Sequence, residues 1–386
     1  MTSFRDLNRR AVVAIPAKNE AERLAHCLRA LGEQLDRRGR PLPRGAFGVV
    51  VLANDCDDDT AAVARAAGQG RRYELRVIET RLPRPFAHAG GARRAAMDLA
   101  EAWLAERPDR ADVILTTDAD SLAAPDWLSA NLKAFDEGAD AVLGRISLDE
   151  EGARLPAALH ARGKLEAVYE DLLTELCAQL DPQDENPWPH HATISGASLA
   201  IRRDVYLGVG RLPRAPLGED KALVAALRRR DARIRFAPDV TVVTSGRIAG
   251  RALGGVADTL RLRSADPAAP CDEALERCTT AYRRALWRGR LRRVGLEGEH
   301  WREALRVPGA VARRARAAAT FGAAWERIEA ASPGLVRRPL KPAELPRQIE
   351  LATRLLTRLQ ATLSAHEDVE PIFRSPRETD DLDAIL

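Results

Sequence analysis

The chain has 386 residues, 45% of them apolar, which at roughly 100–200 residues per domain suggests two or three domains and excludes global disorder or a disulfide-stapled miniprotein. Its 60 Lys and Arg oppose 56 Asp and Glu, and a net charge of +4 names no polyanionic partner. Only five of the cations are Lys, and the five cysteines (Cys27, Cys56, Cys177, Cys271, Cys278) form no CxxC pair, as expected of reduced thiols. MTSFRDLNRR runs into a strand-like segment without a signal-peptide apolar core, and no apolar run approaches about 18 residues. The expectation is a cytoplasmic protein with no membrane span.

In chain order, AVVAIP (Ala11–Pro16) is a short apolar run of the kind that forms a buried parallel strand. Leu24, Cys27, Leu28, Leu31 and Leu35 then share one helical face. GVVVLAN (Gly48–Asn54) reads as a second strand, TAAVARAAG as a helix stopped at Gly68, and LRVIET (Leu75–Thr80) as a third strand. Gly90 and Gly91 open a helix, DVILTTDAD (Asp112–Asp120) is a fourth strand with an acidic end, and ADAVLGRI (Ala139–Ile146) is a fifth. Strands alternating with helices predict an α/β fold, a mainly parallel Rossmann-like sheet with helices on both faces. A long helix spans about 155–180, a Pro-rich loop DPQDENPWPHH follows, and ATISGASLAIRR returns to a strand before the amphipathic EDKALVAALRRR. Beyond about 255 strand signals vanish and Arg/Ala-rich helical stretches cover 272–292, 300–331 and 343–365. The expected division is therefore 1–255 as the catalytic domain and 256–386 as a helical region with a partly disordered acidic tail.

Ligands of open parallel sheets bind at the carboxyl ends of strands. Here those ends carry Lys18-Asn19-Glu20, Asn54-Asp55-Cys56-Asp57-Asp58-Asp59 and Asp118-Ala119-Asp120. So much negative charge in one crevice calls for a counter-charge. Asp118 and Asp120, two residues apart, can face one cation, and hard oxygens suit Mg²⁺ or Mn²⁺. A lone DxD in a loop is otherwise ordinary turn chemistry.

IPAKNE, NDCDDDT, GGARRA, TTDAD and GED, in that order over about residues 10–250, resemble the GT-A glycosyltransferases of family 2 type. The resemblance implies transfer of a hexose from a UDP- or GDP-sugar to an acceptor hydroxyl on a small or lipid-linked molecule. It implies that Pro16, Ala17, Asn19 and Glu20 close over the base and ribose and that Asn54 stands where the family has a base-binding Asp. Gly91 and Arg93 would lie near the nucleotide, and Asp118, Ala119 and Asp120 would form the metal-holding DxD. Glu219–Asp220 match an acidic pair whose Asp is the general base in inverting members; helix capping is the plainer account of the same pair. The His that some relatives supply as a further metal ligand is missing from VVTSGRIAGR, where Arg247 or Arg251 could instead brace a diphosphate. The QxxRW signature of processive synthases is also absent.

Trp188, His191 and Gly196 are candidate acceptor-binding residues, the first two equally readable as an ordinary surface loop. From Tyr282 to Arg316 eleven Arg face three acids, with Trp287 and Trp301 interspersed. That stretch reads first as a solvated helix face, packing on the catalytic domain or in a homo-oligomer, and second as a contact for a membrane surface; no nucleic-acid partner is expected. Two rivals stand beside the inverting enzyme: a retaining synthase of the mannosyl- or glucosyl-3-phosphoglycerate type, and a non-catalytic nucleotide-sugar-binding or interaction protein. No GxGxxG follows the first strand, which disfavours a dinucleotide oxidoreductase.

Overall fold

The computed structural model describes residues 10–106, 112–149, 156–247 and 256–365. In chain order the elements are β1 (Ala11–Ala17), α1 (Leu24–Gly32), β2 (Gly48–Asn54), α2 (Thr60–Gly68), β3 (Glu74–Thr80), α3 (Ala89–Ala105), β4 (Val113–Thr116), β5 (Leu122–Ala123), α4 (Trp127–Asp136) and β6 (Ala141–Leu148). There follow α5 (Ala157–Leu180), β7 (Leu199–Arg202), α6 (Arg203–Gly208), α7 (Glu219–Arg229), β8 (Ile234–Thr244) and α8 (Val256–Ala265). The last are α9 (Cys278–Val294), α10 (His300–Ala304), α11 (Gly309–Arg316), α12 (Phe321–Ala331) and α13 (Leu345–Ala365).

The chain divides into two compact units, Met1–Leu155 with Thr193–Arg261, and Pro156–Ala192 with Leu262–Leu386. This differs from the single boundary expected near 255. The reason is α5, whose Tyr169, Leu173, Leu176 and Leu180 bury against Cys278, Ala281, Tyr282 and Ala285 of α9 and Leu345, Ala352, Leu355 and Leu356 of α13. Those partners lie a hundred residues or more downstream, so an apolar helical face at 157–180 does not announce which unit it serves.

The first unit is built on a sheet of order β3-β2-β1-β4-β7-β6-β8-β5. The pairs β3–β2, β2–β1, β1–β4 and β6–β8 are parallel, and β4–β7, β7–β6 and β8–β5 antiparallel. Alternation along the strands feeds two cores: Val13, Ile15, Val49, Val51 and Leu115 pack with α1 and α4, while Val12, Ala14, Val50, Leu52 and Ile114 pack with α3 and α7. Burial on both faces explains why β1 and β2 are apolar throughout. β1 leads to β2 and β3 on one side, and β4 lies on the other, so the order reverses between β1 and β4. A crevice opens at the carboxyl ends of strands flanking such a reversal. The two-residue β5, paired with β8, follows the DxD and was too short for a periodicity to reveal.

In the second unit the helical stretch expected over 300–331 consists of three helices. Pro308 precedes α11, and the Thr320 hydroxyl accepts the Ala323 N–H to cap α12. Trp287 and Trp301 are buried with Leu291, Leu305, Trp325 and Ile328, so these aromatics are core and offer no stacking platform. No helix among the described residues is long and apolar enough to cross a membrane. The acidic tail lies outside the described residues.

Candidate active site

Arg93 is the hub of the strand-end constellation. It sits one turn into α3, buried, and its fork donates to four acceptors from three segments. Nε reaches Glu219 Oε1 at 3.0 Å, Nη1 reaches the Gly196 carbonyl at 2.9 Å and Thr116 Oγ1 at 3.3 Å, and Nη2 reaches Asp118 Oδ1 at 2.8 Å. Burial disfavours the guanidinium charge, but Asp118 and then Glu219 outweigh it and hold its pKa above the ordinary value. A planar donor set is what such multidentate bracing needs.

The glycines expected to admit a ligand serve this packing instead. A Cβ on Gly196 would lie 2.4 Å from the Arg93 guanidinium carbon. One on Gly90 would lie 2.2 Å from the Ala215 carbonyl oxygen, and one on Gly91 2.1 Å from that of Phe86. The Gly91 N–H, at the start of α3, donates to His88 Nδ1 at 3.0 Å and so caps its own helix.

The acidic pair opening α7 splits in role. Glu219 is buried on Arg93, whereas Asp220 is only half-buried. Asp220 Oδ2 accepts the Gly196 N–H at 3.1 Å and Oδ1 the Lys221 N–H at 2.7 Å. The same residue, Gly196, therefore bonds Arg93 through its carbonyl and Asp220 through its N–H, which fixes Asp220 relative to Asp118.

Across the crevice Asp120 Oδ2 pairs with Arg247 Nη2 at 3.0 Å, and Asp120 Oδ1 accepts the Thr244 hydroxyl at 3.4 Å. Arg247 Nη1 also donates to Glu20 Oε2 at 3.1 Å. Burial pushes the Asp120 carboxyl up to about 6; Asp118 and Glu20 add to the rise and Arg247 and Arg23 oppose it. Beneath them the buried Cys27 thiol contacts the Asp118 carbonyl at 3.5 Å. Burial raises its pKa, and the charges of Asp120, Asp118 and Glu20 raise it further.

The acids after β2 do other work. Asp55 pairs with Lys18 at 2.9 Å, Asn19 Oδ1 accepts the Asp57 N–H at 2.8 Å, and Asp58 Oδ2 accepts the Ala21 N–H at 3.2 Å. The Glu20 N–H donates to Thr60 Oγ1 at 2.8 Å. These bonds stitch the loop after β1, with Pro16 and Ala17 at its base, to the loop after β2. Asn19 (φ 53°) and Asp55 (φ 56°) take left-handed conformations that Asn and Asp tolerate. Buried Asn54 turns Oδ1 to the Leu82 N–H at 3.0 Å, leaving its amide nitrogen as the donor.

Trp188 and His191 belong to the second unit. Trp188 is exposed, edge-on to His190, while His191 is buried and has little surface to offer an acceptor. Arg251 lies outside the described residues. Sequence reasoning missed Thr116, Thr244 and His88 as supports; nothing in their local sequence distinguishes them.

No three His, Cys, Asp or Glu among the described residues form a metal cluster. Asp118 and Asp120 nevertheless fit a small divalent cation. Mg²⁺ commonly takes one or two protein carboxylates and completes its shell with phosphate oxygens and water. Asp118, with its side chain 34% exposed, keeps its second oxygen outside the Arg93 contact.

The family profile described as Glycosyltransferase like family 2 matches residues 9–270. No curated protein matches the sequence. Similar solved structures include the mannosyltransferase PcManGT from Pyrobaculum calidifontis in complex with GDP-Man and Mn²⁺, at 18% identity, 93% coverage of this chain, 81% of that one and TM-score 0.44. The S. aureus TarS 1-349 complex with UDP-GlcNAc shows 15% identity, 84% coverage of each chain and TM-score 0.44. Glucosyl-3-phosphoglycerate synthase from Mycobacterium tuberculosis, in complex with Mn²⁺, UDP and phosphoglyceric acid, shows 19% identity, 68% and 82% coverage and TM-score 0.38. With its profile match spanning most of the length, this chain belongs to the glycosyltransferase-like family 2.

Proposed function

We propose that the enzyme moves a hexose from a UDP- or GDP-sugar to an acceptor hydroxyl with inversion, with Asp220 as general base and Asp118 and Asp120 as the residues that hold Mg²⁺ or Mn²⁺. The observation that carries this reading is the double use of Gly196. Its N–H orients Asp220 while its carbonyl binds the Arg93 fork that also holds Asp118. Base and donor-side carboxylate are thereby parts of one braced unit, and catalysis by proximity requires such fixed placement.

An acceptor hydroxyl is far too weak an acid to ionise at neutral pH, so a carboxylate must take its proton as the oxygen attacks the anomeric carbon. The new oxygen–carbon bond forms as the bond to the diphosphate breaks, and the electron pair leaves with the diphosphate. When bound, the divalent cation supplies charge stabilisation to that leaving group, of the order of several kcal/mol. Glu219 serves as the Arg93 anchor and takes no proton. On the donor side, the stitched loop from Pro16 to Glu20 and the amide of Asn54 would enclose the base and ribose, with Ala119 lining the DxD turn.

A thermal-shift screen of UDP-, GDP- and ADP-sugars with and without Mn²⁺ tests the donor. A true donor stabilises by mass action, about 2.7 kcal/mol at a hundred times its Kd. Absence of any stabilisation by sugar nucleotides with Mn²⁺ overturns the reading. Once the donor is known, NMR of the product anomer is expected to show inversion; retention would remove Asp220 as base and favour the retaining synthase.

A further inference from the structure

The two guanidiniums of the site are held very differently. Arg93 has helix α3 beneath it, four acceptors around it and a side chain only 9% exposed. Arg247 lies in the stretch after β8 ends at Thr244, its side chain 20% exposed, and its guanidinium pairs with two carboxylates, Glu20 and Asp120. Its backbone is anchored lightly: the Gly246 N–H bonds Asp149 Oδ1 at 3.0 Å and the Arg247 N–H bonds Ser245 Oγ at 3.3 Å. One cation thus spans two acids from the ends of β1 and β4, and one of those acids is half of the DxD. Arg247 holds Oδ2 of Asp120, an oxygen that a divalent cation at the DxD would also need.

We propose that Arg247 links metal binding to donor binding: in the free enzyme it occupies Asp120 and Glu20, and on loading it gives up Asp120 and turns to the diphosphate of the donor. This rests on the glycosyl-transfer reading of the site. The charge logic is direct. Placing a second cation on Asp120 beside the Arg247 guanidinium is repulsive, and the repulsion is relieved only if Arg247 finds another anion. A diphosphate is the anion the proposed donor brings, and a planar fork suits its oxygens. Metal and nucleotide then favour one another reciprocally, because each shifts Arg247 the same way. Unlike a third protein ligand, Arg247 suppresses metal uptake until the donor arrives.

Mn²⁺ titration of the full chain followed by electron paramagnetic resonance tests this without any turnover. Releasing Asp120 from a charge-assisted bond is expected to raise nucleotide-free Mn²⁺ affinity about tenfold or more in Arg247→Ala. Arg247→Gln is expected to follow it, and Arg247→Lys, which keeps the charge, to stay near the wild type. UDP or GDP should tighten Mn²⁺ binding in the wild type by a larger factor than in Arg247→Ala. Unchanged nucleotide-free Mn²⁺ affinity in both Arg247→Ala and Arg247→Gln overturns the proposal. If those variants bind Mn²⁺ more tightly yet no nucleotide alters Mn²⁺ binding in any form, the glycosyl-transfer reading fails while competition at Asp120 stands.

Discussion

One cluster in each unit combines buried arginine and carboxylate in opposite proportions. In the first, Arg93 and Arg247 serve four carboxylates, Asp118, Glu219, Glu20 and Asp120. In the second, Arg288 and Arg292 both serve one, Asp181, whose side chain is 1% exposed. The first arrangement leaves negative charge in excess at a partly open crevice, which a cation or a ligand's donors can complete. The second is over-supplied with positive charge around a sealed acid and asks for nothing more. Bonding type is the same in both; the ratio and the exposure separate a site from a brace.

Three substitutions sharpen that contrast. The largest effect is expected from Asp220→Asn, which keeps the shape and the Gly196 contact but cannot accept the acceptor's proton. Turnover should fall by about 10²–10⁴-fold while nucleotide affinity by calorimetry is unchanged. An unaltered rate would remove Asp220 as the general base. Next is Arg93→Ala, which strands Glu219 and Asp118 without their shared partner. A loss of about 3–5 kcal/mol in urea denaturation is expected, with little recovered by Lys, whose single ammonium cannot reach four acceptors. A loss below about 1 kcal/mol, the scale of a surface pair, would show that the hub is not structural.

The smallest is Asp181→Asn. Burial alone would raise the Asp181 pKa, but Arg288 and Arg292 outweigh it and hold the carboxyl below its usual range. A lowered folded-state pKa means stabilisation that is present above the unfolded value near about 4 and is lost as pH falls through the folded value. Because both arginines keep some solvent, the penalty at pH 7 should be about 2–3 kcal/mol, and it should narrow progressively in acid. A penalty independent of pH would mean that packing rather than charge holds Asp181.

Much of the first unit was legible before any coordinates. Strands that are apolar on every residue, such as Val49, Val50 and Val51, imply cover on both faces, and acids clustered where those strands stop imply a site. What local sequence could not disclose was the division of labour among the acids. Asp55 and Asp58 look as available as Asp118, yet they fasten one loop to another. Glu219 and Asp220 are neighbours, and only the turn of α7 decides that one faces Arg93 while the other stays half-open. Nor does local sequence disclose that Gly90, Gly91 and Gly196 let backbone and guanidinium approach closely.

Hydrophobic period and the order of motifs, then, determined the α/β class, the family and the location of the reacting end of the sheet, because burial on one or two faces leaves its mark on nearest neighbours in the chain. Tertiary structure alone decided that α5 joins the C-terminal helices, that Arg93 is a brace, and that Arg247 lies on Asp120. Each of those depends on contacts spanning roughly 25 to more than 200 residues, and the partners carry no local pattern that would point to one another.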